Sequence, residues 1–131
     1  MTGQPGTQQA GGELSGEDAK LVVLARATRL RAHTPTAGPA AAEGAAVRDE
    51  DGRTYTGATV EYARGDLSLS ALRVAVAAAV SSGARGFEAA VVVTDAPGLA
   101  DDDVAAFGAF GTGLPVHRAD PSGAVVETRT S

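Results

Sequence analysis

The chain of 131 residues contains no cysteine and no tryptophan, and aromatic residues make up only 4% of it. The absence of cysteine excludes disulfide bonds, thiolate nucleophiles and cysteine-ligated metal sites. With so few aromatics, the core must be built from alanine, valine and leucine. The 44% hydrophobic fraction and the moderate charge still predict one globular domain rather than a disordered chain.

Basic residues are also scarce, because 11 Lys and Arg stand against 16 Asp and Glu, a net charge of -5. That balance argues against nucleic acid or an anionic membrane as a partner. One basic cluster, Arg26, Arg29 and Arg31, has helical spacing and is interpreted as a solvated helix face. No apolar run reaches transmembrane length and no signal peptide is recognisable, so a cytoplasmic location is expected.

Helix and strand patterns alternate along the chain after a Gly- and Gln-rich beginning. Residues 1–14 lack apolar periodicity and are predicted to be a disordered tail, with one domain over 15–131. Ser15 offers an N-cap for a helix that ends near His33, because Pro35 disfavours helix before it. Two strands, at 45–48 and 54–60, flank an acidic turn ending in Asp51-Gly52, which indicates a hairpin.

The second half predicts a strand, helix and strand connected in parallel. A helix runs from a cap at Asp66 or Ser68 to Gly83, and the unbroken apolar run at 87–94 is typical of a central strand covered on both faces. A third helix begins at 101–103 and carries Val104, Phe107 and Phe110, and short strands follow at 115–117 and 124–128. This order predicts an α/β fold, a three-layer α/β/α sandwich on a mixed sheet of about five strands.

Several segments resemble the cytidine deaminase family. Residues 52–61, GRTYTGATVE, are similar to a family segment that usually reads G-R-x-Y-x-G-A-N-V-E. LSALRVA at 69–75 has the spacing of the family's C-A-E-R-x-A helix, and FEAAVVV at 87–93 and GLPVH at 113–117 resemble its central and late strands. The resemblance covers roughly residues 17–130, and it implies the cytidine deaminase fold and assembly into a homotetramer.

The resemblance also implies a zinc site whose ligands this chain has lost. In the family, three protein ligands hold zinc, two of them from a P-C-x-x-C turn, and a nearby Glu shuttles protons. Here the first ligand position is Ser70, the shuttle position is Leu72, and the turn corresponds to residues 95–100, DAPGLA. A serine hydroxyl is a poor zinc ligand and leucine transfers no proton. We therefore expect no metal and no cofactor, and interpret the chain as a catalytically inactive relative with a binding, regulatory or assembly role.

The remnant ligand-pocket candidates are Thr59, Glu61, Ser70, Leu72 and Pro97. The resemblance places Thr59 where the family has an Asn that contacts the ribose, and Glu61 is retained. Two alternatives stay open. One is a sensor that binds a nucleoside or nucleotide in the old pocket, and the other is a related hydrolase with a non-standard site.

Other polar features have simpler interpretations than a ligand site. Asp101, Asp102 and Asp103 carry oxygens suited to a hard cation, but an acidic run also complements a helix N-terminus. His33 and His117 lack a third ligand pattern. Ser70 lacks an identifiable base that would make it a nucleophile.

Self-association into a dimer or tetramer is predicted, with a nucleoside or protein partner left open. The resemblance implies it, and the second helix is apolar over more than one stripe. Beside its core stripe it carries a face of small side chains: Ala71, Val74, Ala75 and Ala78.

Overall fold

The structure, a computed structural model, describes residues 14–131 and the backbone of residues 9 and 10. Two short 3-10 turns lie at Pro39–Ala41 and Gly65–Leu67. The helices and strands are β1 (Gln9–Ala10), α1 (Gly16–Arg29), β2 (Gly44–Asp49), β3 (Thr54–Ala58), α2 (Ala71–Ser81), β4 (Phe87–Val93), α3 (Asp101–Gly108), β5 (Pro115–Ala119) and β6 (Val125–Thr130).

The strands form one mixed sheet in the order β1-β6-β5-β4-β2-β3. Strand β2 lies between β3 and β4 and is antiparallel to both, so β3 and β4 run parallel to each other, as predicted. Strands β4 and β5 are directly paired and parallel. Five strands match the prediction, and the two-residue β1 adds a sixth at the edge of β6.

Two apolar cores lie on opposite faces of the sheet. Helix α1 covers one face through Leu21, Val22 and Ala25. Helices α2 and α3 cover the other, where Phe87 and Phe107 stack with ring centroids 5.1 Å apart. Strands β2 and β4 are buried on both faces because they lie at the centre of these layers. This confirms the predicted α/β/α sandwich.

Helix ends differ from the sequence prediction where distant backbone segments pair. Helix α1 ends at Arg29 rather than near His33, because the backbone of His33 bonds to Thr59 and Glu61 instead. The cap of α2 is neither Asp66 nor Ser68 but Ser70. Phe110 lies beyond the end of α3 and packs edge-on against Phe87 with ring centroids 6.1 Å apart.

The predicted disordered tail, residues 1–14, lies mostly outside the described residues. Within it, β1 pairs with Glu127 and Thr128 of β6, and Leu14 packs against the core under α1. The predicted Asp-Gly hairpin turn is present, with Gly52 at a φ of +83°. None of the described helices is long and apolar enough to cross a membrane.

Candidate functional site

The amino end of helix α2 positions Ser70. The helix begins only there because Leu69 pairs with Val60 through two backbone hydrogen bonds of 2.9 and 3.0 Å. As the N-cap, Ser70 accepts a hydrogen bond from the Arg73 amide at 3.3 Å. The same hydroxyl donates to Asp103 Oδ1 at 2.7 Å. Its hydrogen-bonding capacity is therefore used within the chain.

Asp103, which the sequence presents only as part of an acidic run, lies in the first turn of α3. It is 8% exposed, and Arg73 Nε lies 3.6 Å from the same carboxylate oxygen. Arg73 Nε also donates to Ser70 Oγ at 3.1 Å. We call these three residues the helix clasp. The sequence indicated this contact only through the predicted topology. Helices that follow parallel strands begin at the same edge of the sheet, so the amino ends of α2 and α3 were expected to lie near each other.

Leu72, which the resemblance places at the position of the family's proton-shuttle Glu, is fully buried. It belongs to the apolar core between α2 and the sheet, which also contains Ala45 and Phe87. An apolar side chain in this place neither accepts nor donates a proton. The prediction that Leu72 lies on the core stripe of α2 is confirmed.

The turn at 95–100, between β4 and α3, is held by arginines from three other elements. These side chains come from α1, β5 and β6, and together they bind a carboxylate and two backbone carbonyls. Pro97 lies exposed in the turn. The contacts are Arg29 to the Asp95 carboxylate at 3.4 Å, Arg118 to the Ala96 carbonyl at 3.1 Å and Arg129 to the Leu99 carbonyl at 3.2 Å.

The basic cluster on α1 is not a solvated face throughout. The Arg29 side chain is only 19% exposed and also donates to the Ala42 carbonyl at 2.8 Å. Arg26 donates to the Pro121 carbonyl at 3.1 Å. The interpretation as a solvated face is therefore wrong for Arg29, whose side chain is mostly covered and fastens α1 to the neighbouring loop, whereas Arg26 remains exposed.

Thr59 lies just after β3, where its hydroxyl accepts a hydrogen bond from the Glu43 amide at 3.0 Å. The Glu43 carboxylate in turn accepts from Thr94 Oγ1 at 2.9 Å. Burial raises the pKa of Glu43; the Thr94 hydrogen bond opposes that shift and the charge of Asp103 adds to it. Sequence reasoning missed Glu43, although a lone carboxylate before a buried apolar strand was a usable signal.

The Glu61 carboxylate is hydrogen-bonded to the loop after α1. Its carboxylate accepts hydrogen bonds from the Ala37 amide at 2.9 Å and the Thr36 amide at 3.1 Å. The pKa of Glu61 is held below its ordinary value, chiefly by the Ala37 amide. The carboxylate therefore caps a turn of its own chain.

The predicted pocket residues have hydrogen-bonding partners in different parts of the fold. Ser70 donates a hydrogen bond to Asp103, whereas Thr59 and Glu61 each accept hydrogen bonds from different backbone amides. Surface cavities of 260 to 500 Å3 lie along α1, in the groove between α2 and α3, and at the tip of the β2–β3 hairpin. None of these cavities is lined by Thr59, Glu61, Ser70, Leu72 or Pro97.

A zinc site of the family's kind needs three nitrogen, sulfur or carboxylate ligands around one point. At the corresponding positions this chain offers the Ser70 hydroxyl, which is bonded to Asp103, and a turn whose only side-chain donor is Asp95. In the part of the chain that is described, no group of three or more His, Asp or Glu is placed to hold a metal ion. These residues do not fit zinc.

His117 belongs to a buried network on the opposite face of the sheet. Its Nε2 lies 2.9 Å from Asp18 Oδ2 and its Nδ1 lies 2.7 Å from Thr128 Oγ1. The other Asp18 oxygen accepts from Arg48 at 2.9 Å. His33 contributes its backbone, as described above. The two histidines therefore serve in separate parts of the fold.

Comparison with known proteins agrees with this architecture. The family model described as "Cytidine deaminase-like" matches residues 14–123. Cytidine deaminase from Burkholderia pseudomallei is 27% identical, with a TM-score of 0.77 over 88% of this chain and 93% of that chain. The Mycobacterium tuberculosis enzyme is 26% identical, with a TM-score of 0.68 over 74% and 80%. The Mycobacterium leprae enzyme, 23% identical over 86% and 94%, shares the fold with a TM-score of 0.70. The chain belongs to the cytidine deaminase-like family.

Proposed function

We propose that this chain is a zinc-free member of the family that does not deaminate and that acts through binding, regulation or assembly. The observation that carries the proposal is the commitment of Ser70, at the first ligand position, to Asp103 at 2.7 Å. Leu72, fully buried at the shuttle position, adds a second obstacle to the chemistry.

The proposal follows from what deamination requires. A zinc-bound water must become a hydroxide that attacks the base, and a carboxylate must carry protons during the reaction. The carboxylates near the helix clasp are otherwise engaged, since Asp103 bonds to Ser70 and Glu43 bonds to Thr94. A general acid–base group typically contributes about 10²–10⁴-fold to rate, so losing it together with the metal ligands removes the main sources of catalysis.

The two alternatives have less support from the side-chain contacts. A nucleoside sensor would use Thr59 and Glu61 to bind its ligand, but both side chains already accept hydrogen bonds from backbone amides of the chain itself. A related hydrolase with a non-standard site could use Ser70 as a nucleophile only with a base beside it, and the partners of Ser70 are an aspartate and an arginine with no histidine between them.

Metal analysis and a deamination assay test the proposal directly. We expect the purified protein to contain no stoichiometric zinc and to leave the ultraviolet spectra of cytidine and deoxycytidine unchanged. The Burkholderia pseudomallei enzyme, purified in the same way, serves as the positive control. About one zinc per chain after dialysis, or turnover that persists through repurification, would overturn the proposal.

Thermal unfolding in the presence of a nucleoside panel tests the sensor alternative. A ligand present at about 100 times its dissociation constant stabilises the folded state by about 2.7 kcal/mol. We expect no nucleoside to raise the melting temperature. A reproducible rise with one of them would favour the sensor.

We also propose that the protein self-associates, with a corrected account of the contact. The predicted contact face consists of Ala71, Val74, Ala75 and Ala78, but Ala71 and Ala75 are fully buried within the protomer. They lie against β3, where Gly57 admits the backbone of α2. Only Val74 and Ala78 of that face remain partly exposed for a second copy.

A further inference from the structure

We propose that polar side chains join helix α2, the turn at 95–100 and helix α3 at the place where the resemblance puts the family's zinc ligands. The inference rests on the proposed function, since it requires a protein that folds without zinc. It concerns the helix clasp of Ser70, Arg73 and Asp103, and the arginines that hold the turn.

A metal bound by ligands from two helix ends is a cross-link, and binding it contributes directly to folding. In this chain the helix clasp joins the same two ends. The Asp103 side chain is only 12% exposed and accepts the Ser70 hydroxyl at 2.7 Å. A hydrogen bond to a shielded carboxylate is stronger than one between neutral groups. The clasp therefore has the geometry and burial of a stabilising link.

The charges at the two helix ends favour the same arrangement. Each helix N-terminus carries a partial positive charge, and a carboxylate in the first turn compensates it. Asp103 lies in the first turn of α3 and bonds to the N-cap of α2, so one carboxylate serves both ends. Arg73, with its Nε 3.6 Å from Asp103 Oδ1, balances the remaining negative charge.

The turn itself is fixed by cationic groups instead of thiolates. Arg118 and Arg129 donate to the Ala96 and Leu99 carbonyls, which are backbone acceptors that a loop must otherwise leave to water. Arg118 also pairs with buried Glu127, which fixes the direction of its guanidinium. The turn thus reaches α3 in a defined conformation without a metal.

A double-mutant cycle on Ser70 and Asp103 tests the clasp. Ser70→Ala removes the helix cap as well as the bond to Asp103, but the cap contributes equally in both Asp103 backgrounds and cancels in the cycle. We expect each single variant to lower the folding equilibrium constant. Each variant is described by the factor by which it lowers this constant. The factor for the double variant should be smaller than the product of the two single-variant factors by roughly 5- to 30-fold. Equality with that product would overturn the inference.

Asp102→Ala is the matched control, because Asp102 is exposed in the same first turn of α3. It removes a charge at the helix end without touching Ser70, so it should change stability less than Asp103→Ala. If Asp103→Ala does not fold, the stabilities of two conservative variants are measured instead of the cycle: Asp103→Asn, which keeps an acceptor for Ser70, and Ser70→Thr, which keeps the hydroxyl. Retained stability in both conservative variants, beside failure of the alanine variant, supports the clasp.

Chelator and zinc titrations separate this inference from the proposed function. We expect EDTA and zinc chloride to leave the melting temperature of the wild-type protein unchanged. A fall with EDTA means that a metal is the cross-link and that the proposed function itself fails. Indifference to both reagents, combined with no coupling in the cycle, refutes only the clasp.

Discussion

Asp18 is the residue through which helix α1 is tied to two strands. One carboxylate oxygen meets His117 of β5 and the other meets Arg48 of β2. Burial raises the pKa of Asp18, but the hydrogen bonds from His117 and Arg48 outweigh it and hold the pKa below its ordinary value of 3.8. The ionised carboxylate therefore stabilises the folded state.

Replacing Asp18 with Asn should destabilise the protein by about 1–3 kcal/mol at neutral pH, because a charged acceptor is lost from a mostly buried network. The stabilisation by Asp18 is present above pH 3.8 and disappears as the pH falls through its lower folded-state pKa. Urea unfolding of both proteins across pH should therefore show a difference that narrows below pH 3.8. Glu17→Gln, at an exposed neighbour, is the control, and a difference independent of pH would contradict the assignment.

Leu72, which the resemblance places at the family's shuttle position, is buried in the core, and its burial can be tested by substitution. Leu72→Glu should destabilise the fold by about 3–5 kcal/mol, because an unpaired carboxylate would be buried or forced to stay protonated. It should not restore deamination, since no metal ligands return with it. Ala77→Glu introduces a glutamate at an exposed position of the same helix and should have little effect on the urea midpoint of unfolding. Equal midpoints for the two variants would place Leu72 outside the core.

At the scale of elements, two strand glycines set how closely the helices lie on the sheet. A Cβ on Gly44 would meet the backbone of α1 at Ala25 and Arg29, and one on Gly57 would meet α2 at Ala71 and Ala75, all at less than 3.0 Å. Neither glycine has a positive φ, so close approach and not backbone strain explains both. The helix layers depend on these two positions.

Gly57→Ala should therefore destabilise the protein by about 1–3 kcal/mol, as expected when a methyl group is forced into a packed interface. The reverse holds at Gly65, which has open space around it and an ordinary φ. Gly65→Ala should leave the melting temperature unchanged or slightly raised, because alanine has less conformational entropy to lose. A neutral result at Gly57 would mean that α2 moves away from the strand at no cost.

The sequence predicted the elements whose patterns are local. The apolar run of β4, the Asp-Gly hairpin turn and the N-cap at Ser15 all depend on neighbouring residues, and each lies where it was predicted. The start of α2 depends instead on Leu69 pairing with Val60, nine residues away, and no local signal reported that pairing. Capping preferences alone therefore placed the helix start too early.

For the same reason, the sequence predicted which positions belong to the site but not the long-range contacts that they make. The resemblance indicates which positions differ from the family's site, so Ser70 and Leu72 could be named from the sequence. It does not identify what they contact, because the bond from Ser70 to Asp103 spans 33 residues and two helices. The arginines of the turn come from α1, β5 and β6, and their convergence depends on the whole sheet order.

At the scale of the molecule, the exposed apolar side chains are unevenly distributed. Six large ones are exposed among residues 14–131, and three of these, Tyr62, Leu67 and Leu69, lie in the loop before α2. We call this loop the apolar loop. Partly exposed Val74 and Ala78 follow on α2 itself. Concentration of apolar surface in one region is typical of an interaction site.

We expect the protein to form a dimer or tetramer through this region, because a closed symmetric assembly would cover the apolar loop and the open side of α2. Light scattering at micromolar concentration measures the mass, and a value near the 13.0 kDa of one chain would refute association. Ala78→Lys and Leu67→Lys should each lower the mass by placing a charge in the contact. Leu30→Lys introduces the same charge at a side chain that is 86% exposed directly after α1, across the sheet, and should leave the mass unchanged. A lower mass for Leu30→Lys, with no effect of the other two, would move the contact to the α1 face.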